Sequence, residues 1–324
     1  MKKNTALLTL GALVASTLAV SAPLAQEQEP YPVDTVTIIV PYAAGGSGDT
    51  VGRIVADELS KRFTANFIVE NVGGASGTIG AERVARAAPD GATLLLAGNA
   101  IITTAPHLAS VGFDPLQDLM AIANISEARR MLVSSKTLPV STFDEFVAYG
   151  REHPGELNFG SVGVGSTGHI ATMDILHNVG IEANHIPYSG ASEVVQAVLS
   201  GDVQFMLDAA AIPQARQDTV TALAVPGSGR MEDFPDVPTL AEAGYPSISG
   251  TGLQMIMGPA GMPAEITTIL ERALQDASNS PEFTDILVRS GVTPRFMSGE
   301  DLGAALQAEY TKYDELLTTM GLKQ

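Results

Sequence analysis

Cysteine and tryptophan are both absent from this chain. Without cysteine there is no disulfide, no thiol nucleophile and no thiolate metal site. A cysteine-free exported protein has to rely on a core large enough to be stable alone. Aromatic residues make up only 5% of the 324 residues, so extended stacking platforms for sugars or bases are not expected. Basic residues are scarce too. Lys and Arg number 18 against 36 Asp and Glu, a formal net charge of −18. Such a surface repels nucleic acid and anionic membranes. If the ligand is an anion, positive potential has to be supplied locally, by backbone N–H groups or by a few Arg and Lys.

What is present is apolar and core-forming. Hydrophobic residues make up 45% and charged residues 17%, which excludes a disordered chain. The length favours two lobes over one core. The first 25 or so residues read as a signal peptide: Lys2 and Lys3, an apolar run from Ala6 to Val20, then small residues at Ser21, Ala22 and Ala25. The run is short for a membrane span. Cleavage after Ala25 is the preferred reading. No Cys follows to carry a lipid, so the mature chain is expected free in the periplasm.

Periodicity then gives strand, glycine loop and helix in repeated order. Val36 to Val40 reads as a buried strand, with a helix after it carrying Val51, Ile54, Val55, Leu59 and Phe63 at helical spacing. A strand over Phe67–Val69, a helix from Thr78 to about Ala88 and a strand over Thr93–Ala97 follow. A second set starts near residue 130, with strands at Met131–Val133, Asn158–Phe159, His185–Ile186, Val203–Leu207 and Leu223–Val225. Thr142 and Glu145 form a capping box. Asp233 to Ser249 reads as a return connection, and the remainder as helices over about 264–278, 282–290 and 299–319, the last capped by Ser298. This is an α/β pattern of parallel strands with helices on the sheet faces.

The glycine loops sit at the carboxyl ends of strands, where open α/β sheets bind ligands. In Pro41-Tyr42-Ala43-Ala44-Gly45-Gly46-Ser47-Gly48-Asp49 the glycines permit close backbone approach, and Ser47 or Asp49 can cap the helix. The free N–H groups of the first helical turn make an anion site without a basic side chain. Gly73–Gly77 repeats the arrangement, and Ser161-Val162-Gly163-Val164-Gly165-Ser166-Thr167 adds three hydroxyls. A tight strand-to-helix turn explains any one of these loops; three together favour recognition. No Lys follows the first loop, so a phosphate loop does not fit. Ser161, His169 and Asp208 could be imagined as a triad, but Phe159 stands at the first glycine position of a nucleophile elbow. No catalytic residue is assigned. The five histidines form no HxxxH pair, and neither a metal nor a cofactor is expected. Asp208 ends an apolar strand, where it either caps the next segment or holds a water or a ligand ammonium group.

Motifs in order carry a resemblance. Val40 to Asp49, then Glu70-Asn71 with Gly74-Ala75-Ser76-Gly77, then Ala88-Pro89-Asp90-Gly91-Ala92-Thr93-Leu94 are similar to segments of the substrate receptors of tripartite tricarboxylate transporters, also called Bug receptors. So are Gly160 to Ser166 with His169, Pro187-Tyr188-Ser189-Gly190, Gly201-Asp202-Val203-Gln204, and Pro235-Asp236-Val237-Pro238-Thr239 with Ala243-Gly244. The resemblance covers nearly the whole mature chain. It implies a two-lobed periplasmic binding protein of the Venus-flytrap type (type II), with a parallel-rich sheet in each lobe. The implied boundaries are 1–25 for the signal peptide, 26–128 plus 252–324 for one lobe and 129–251 for the other. It implies a monomer that binds a small organic carboxylate and delivers it to the integral membrane permease subunits of such a transporter; the alternatives are a sensory receptor for the same ligands and, behind it, a secreted hydrolase. The carboxylate is then held by Tyr42, Ala43, Ala44, Gly45, Gly46, Ser47 and Asp49 of the first loop and by Ser161, Gly165, Ser166, Thr167 and His169 of the second, with Asp208 opposite. Backbone N–H groups and ordered waters make most of the contacts. The family's Arg-Pro is replaced here by Val72-Gly73, and Val162 and Val164 leave the second loop apolar, which favours a ligand with some hydrocarbon character.

Overall fold

The computed structural model describes residues 28–42, 44, 45, 47–227, 229–245, 252–319 and 321–323. The expected signal peptide lies outside the described residues. The chain runs β1 (Thr35–Val40), α1 (Ser47–Arg62), β2 (Asn66–Asn71), α2 (Thr78–Ala85), β3 (Thr93–Gly98), α3 (Asn99–Thr103), α4 (Ala105–Leu108), β4 (Leu119–Ala128) and β5 (Met131–Ser135). It continues α5 (Phe143–Glu152), β6 (Leu157–Ser161), α6 (Thr167–Val179), β7 (Ala183–Pro187), α7 (Ala191–Ser200), β8 (Phe205–Asp208), α8 (Ile212–Arg216) and β9 (Val220–Ala224). The last part holds β10 (Gly252–Pro259), α9 (Ala264–Ser278), α10 (Pro281–Arg289), β11 (Thr293–Ser298) and α11 (Gly299–Thr319).

Two sheets result. A six-stranded sheet has the order β11-β4-β10-β3-β1-β2, and a five-stranded sheet has the order β7-β6-β8-β5-β9. The strand–loop–helix repeats give the parallel pairs β1–β2, β1–β3, β6–β7 and β6–β8. Strands that cross between the lobes, or return late in the chain, pair antiparallel, so each sheet is mixed. The fold is two-lobed α/β. Each lobe has its own core. Phe63, Leu59, Ile38 and Leu270 are buried in the first, and Phe146, Phe159 and Phe205 in the second. Full burial of each such side chain contributes about 1.5–3 kcal/mol.

The capping expectations for Thr142 and Ser298 hold with one refinement. Thr142 Oγ1 accepts from Glu145 N, but Glu145 returns its bond to Ser141 N, one residue before the cap. Ser298 Oγ accepts from Asp301 N and starts α11. Two strands stand where only helices were expected. β10 is buried along its whole length between β3 and β4, and β11 pairs with β4 at the sheet edge. Of the return connection, residues 233–245 form turns and the rest lies outside the described residues.

The chain leaves the first sheet through Arg129 and Arg130, between β4 and β5, and rejoins it at Gly252, which pairs with Ala128. The two strand ends flanking the lobe junction therefore lie side by side. α11 also spans the lobes. It packs on β4 and α3, and its Tyr313, Leu316 and Leu317 meet Ile170 of α6. Lys312 there forms an ion pair with the buried Asp174.

Candidate functional site

A cavity of about 350 Å³ lies where the lobes meet, within the size range of small-molecule sites. Tyr42 and Gly48 reach it from the first loop and helix α1. Thr167 reaches it from the first turn of α6, in the other lobe. Gly98 and Asn99 come from the end of β3, Leu253 and Gln254 from β10, and Arg130 from the crossing segment. Two helix N-termini on opposite lobes thus border one space. Among the described residues, the N–H groups of Gly48 and Asp49 and those of Thr167 and Gly168 meet no acceptor. Such groups, with the positive ends of two helix dipoles, suit an anion.

The first loop is held by Asp49, which is 5% exposed. One carboxylate oxygen accepts from Gly45 N at 2.9 Å and from Arg53 Nε at 3.1 Å. The other accepts from Asn71 Nδ2 at 3.0 Å and faces Arg53 Nη2 at 3.0 Å. Asn71 Nδ2 also donates to Tyr42 O. The Arg53 bond, then the Gly45 N–H, holds the Asp49 carboxyl down at about 2. Asp49 is thus the staple of the loop, reaching back from the first turn of α1, and its oxygens are committed to protein partners. Gly48 is small for a reason: a Cβ there would lie 2.9 Å from the Tyr42 ring. Burial raises the Tyr42 hydroxyl pKa, opposed by a hydrogen bond with the Gly98 backbone.

The second loop turns on Ser161. Its Oγ donates to Gly163 O at 3.0 Å, accepts from Gly163 N at 3.2 Å and from Ser166 Oγ at 3.3 Å, and lies 2.7 Å from His185 Nε2. Ser166 caps α6 by accepting from His169 N. Gly165, at φ +77°, donates its N–H to His169 Nδ1 at 3.1 Å. That bond requires an unprotonated Nδ1, so the proton of neutral His169 sits on Nε2. His169 is buried and stacked on His185, ring centroids 3.9 Å apart. Burial, then the neighbouring His185, lowers its pKa to about 4.

A depressed histidine stabilises the fold above its unfolded pKa of about 6.5 and loses that contribution as pH falls through its folded value. Stability is therefore expected to fall between about pH 6.5 and about pH 4, and His169→Gln to flatten part of that slope. Urea unfolding across this range checks it. An unchanged slope in the variant counts against the assignment.

The sequence-derived site residues divide into groups. Tyr42 and Thr167 line the cavity. Asp49, Ser161, Gly165, Ser166 and His169 hold the two loops in shape. Ala44 and Gly45 are exposed in the first turn. Ser47 opens α1, while Ala43 and Gly46 lie outside the described residues. Asp208 caps the turn after β8, accepting from Ala210 N at 2.9 Å. The imagined triad does not assemble. Ser161 meets His185 instead of His169, its hydroxyl is tied to Gly163 O, and among the described residues no carboxylate bonds to His185. The loop Gly73–Gly77 does not reach the cavity. Gly77, at φ +94°, packs where a Cβ would lie 2.6 Å from Ile101.

Sequence reasoning missed Arg130, Asn99 and Gln254. Asn99 Nδ2 donates to both oxygens of Glu309, and its Oδ1 accepts from Leu253 N, so it ties β3, β10 and α11 together. Gln254 Oε1 accepts from Ser126 Oγ at 2.7 Å, while its Nε2 meets no acceptor among the described residues.

Comparison with known proteins gives this architecture a place. The model for "Tripartite tricarboxylate transporter family receptor" matches residues 51–322. The chain belongs to that family. A TctC solute binding protein from Polaromonas, solved without ligand, is 28% identical and superposes with a TM-score of 0.80, covering 89% of this chain and 99% of its own. An R. palustris protein solved with adipate is 30% identical, TM-score 0.73, over 90% and 98% of the two chains. MatC from Rhodopseudomonas palustris, with bound malate, is 30% identical, TM-score 0.70, over 89% and 100%. The family is named for receptors and the Polaromonas relative is a solute binding protein; neither is named as an enzyme. Among the described residues of this receptor, no helix is long and apolar enough to cross a membrane.

Proposed function

We propose that this receptor captures a small organic carboxylate in the periplasm and delivers it to the membrane subunits of a tripartite tricarboxylate transporter. The observation that carries the reading is the facing pair of helix N-termini. Gly48 of one lobe and Thr167 of the other line one cavity, and among the described residues the N–H groups of Gly48 and Asp49 and of Thr167 and Gly168 meet no acceptor. One carboxylate placed there takes hydrogen bonds from both lobes. Closure follows, because the ligand's affinity for the closed form exceeds that for the open form. Adipate and malate in the two similar receptors support the ligand class. The lobes in this reading are residues 26–128 with 252–324, and residues 129–251.

The acidic surface is compatible with an anionic ligand because the field at the site is local and backbone-derived. Thermal-shift screening of organic acids tests the reading. At a hundredfold excess over Kd, a bound acid is expected to add about 2.7 kcal/mol of stability. Stabilisation by sugars or cations alone, with no response to any carboxylate, would overturn it.

A further inference from the structure

A second cavity, of about 530 Å³, lies on the other side of the crossing segment, again within the size range of small-molecule sites. Sheet order puts it there. In the first sheet β4 stands between β11 and β10, and in the second β5 stands between β9 and β8. The cavity between the helix N-termini is bordered by β3, β10 and the first turn of α6. The second is bordered by Val292 and Thr293 where β11 begins, by Met231 and Phe234 beyond β9, and by Ile212 of α8, which packs on β9. Consecutive residues of the crossing segment divide between the two: Arg130 lines the first cavity and Arg129 the second.

The second cavity joins apolar wall to positive charge. Val288 of α10 is 59% exposed there, facing the space that Ile212 and Phe234 border from the other lobe. Among its charged lining residues, Arg129, Arg216 and Arg230 stand against Glu232 and Asp233. The chain as a whole has 18 basic and 36 acidic residues, so the sign is locally reversed. Arg216 and Arg230 are exposed and pair with Asp233 and Glu242. Exposed pairs of this kind hold weakly. Nη1 of Arg216 and Nη2 of Arg230 meet no acceptor among the described residues.

We propose that this cavity is a second ligand site, for a small anion with an apolar body, and that its occupancy opposes capture in the first. The apolar body lies against Ile212, Phe234 and Val288, and the head group meets Arg216 and Arg230. The site itself goes beyond the carboxylate reading and does not depend on it. Closure bends the chain about the crossing segment, so the motion that narrows one cavity widens the other. An occupant touching both walls of the second cavity holds them together and costs affinity in the first, and the coupling is reciprocal. Arg129 already ties this side across the junction. Its Nη1 donates to Gly229 O and Arg230 O in the second lobe, and its Nε faces Glu127 of β4.

Calorimetric titration with octanesulfonate tests the site. Wild type is expected to bind it saturably, and at least about tenfold more tightly than octyltrimethylammonium, which has the same chain and the opposite charge. Arg216→Glu and Val288→Asp, both at exposed positions, are each expected to weaken it by about tenfold or more. No saturable binding, equal binding of the cation, or full binding in both variants overturns the proposal. So does retention on phosphatidylglycerol vesicles without binding of octanesulfonate, because the occupant is then a membrane. For an organic acid that binds the first cavity, saturating octanesulfonate is expected to weaken it about fivefold in wild type and to leave it unchanged in Val288→Asp at the same concentration. Equal weakening in both places the sulfonate in the first cavity, and unchanged or tighter binding in wild type removes the antagonism; each overturns the proposal. If no organic acid binds, the carboxylate reading falls while the sulfonate titration still decides the second site.

Discussion

Asp49→Ala is expected to abolish ligand capture and to destabilise the protein by on the order of 2–4 kcal/mol. The side chain accepts from Gly45 N–H, Asn71 and Arg53 while being almost fully buried. Alanine leaves those donors without their shared acceptor and frees the turn that delivers the first turn of α1 to the cavity. Binding suffers more than stability because the N–H groups of that turn work only when fixed in advance. Asp49→Asn keeps the shape but loses the charge facing Arg53, and is expected to fall between the two. The pH dependence has a definite sign. The Asp49 carboxyl is held at about 2, below its ordinary value. Its contribution is complete above about pH 4 and is lost as pH falls through about pH 2. Urea unfolding and calorimetric titration of both variants check this. Wild-type affinity in Asp49→Ala would remove the loop from the site.

Lys312→Met is expected to cost about 3 kcal/mol at neutral pH, at the low end for a broken buried pair because the lysine is partly exposed. Asp174 is 1% exposed, and among the described residues Asn178 is the side chain that still bonds its carboxylate after the change. Burial already raises the Asp174 pKa, with Lys312 opposing that rise. Removing the lysine pushes it further. A group raised in the folded state favours folding at low pH and loses that contribution as pH rises through its folded value. The deficit of the variant should therefore shrink towards about pH 4 and reach its maximum near about pH 7. Thermal melts at both ends measure it, and the double change Asp174→Leu with Lys312→Met should recover most of the loss. A pH-independent deficit would count against the ion pair. Because this pair joins α11 to α6, across the lobes, and neither residue lines the cavity, the single variant also tests how much of lobe closure is held outside the cavity wall.

The elements that sequence made legible were those with local signals. α9, α10 and α11 have a clean helical period and stand within a residue or so of expectation. Thr142 and Ser298 are caps whose partners sit three residues on. β10 carries no such signal. A strand buried on both faces has no alternation, and Gly252, Gln254, Gly258 and Pro259 read as loop. Its place is set by β3 and β4, distant in sequence. The site divides in the same way. The two glycine loops were visible because tight turns leave a composition. Arg130 and Asn99 are single residues whose position depends on where the chain crosses between sheets. One signal was available for Arg130: in so acidic a chain, two consecutive arginines next to a buried strand call for a reason.

The central position of β10 also orders events in time. β10 lies between β3 and β4 in the middle of the six-stranded sheet, yet it is made after the whole of the five-stranded one. A growing chain that has reached residue 245 holds every strand of the second sheet but a first sheet split into β1–β2–β3 and a lone β4. The first lobe therefore cannot close its core until the last quarter of the chain has begun to emerge, and long-range pairing of this kind is slow. In the periplasmic role proposed above, that delay keeps the chain open for export.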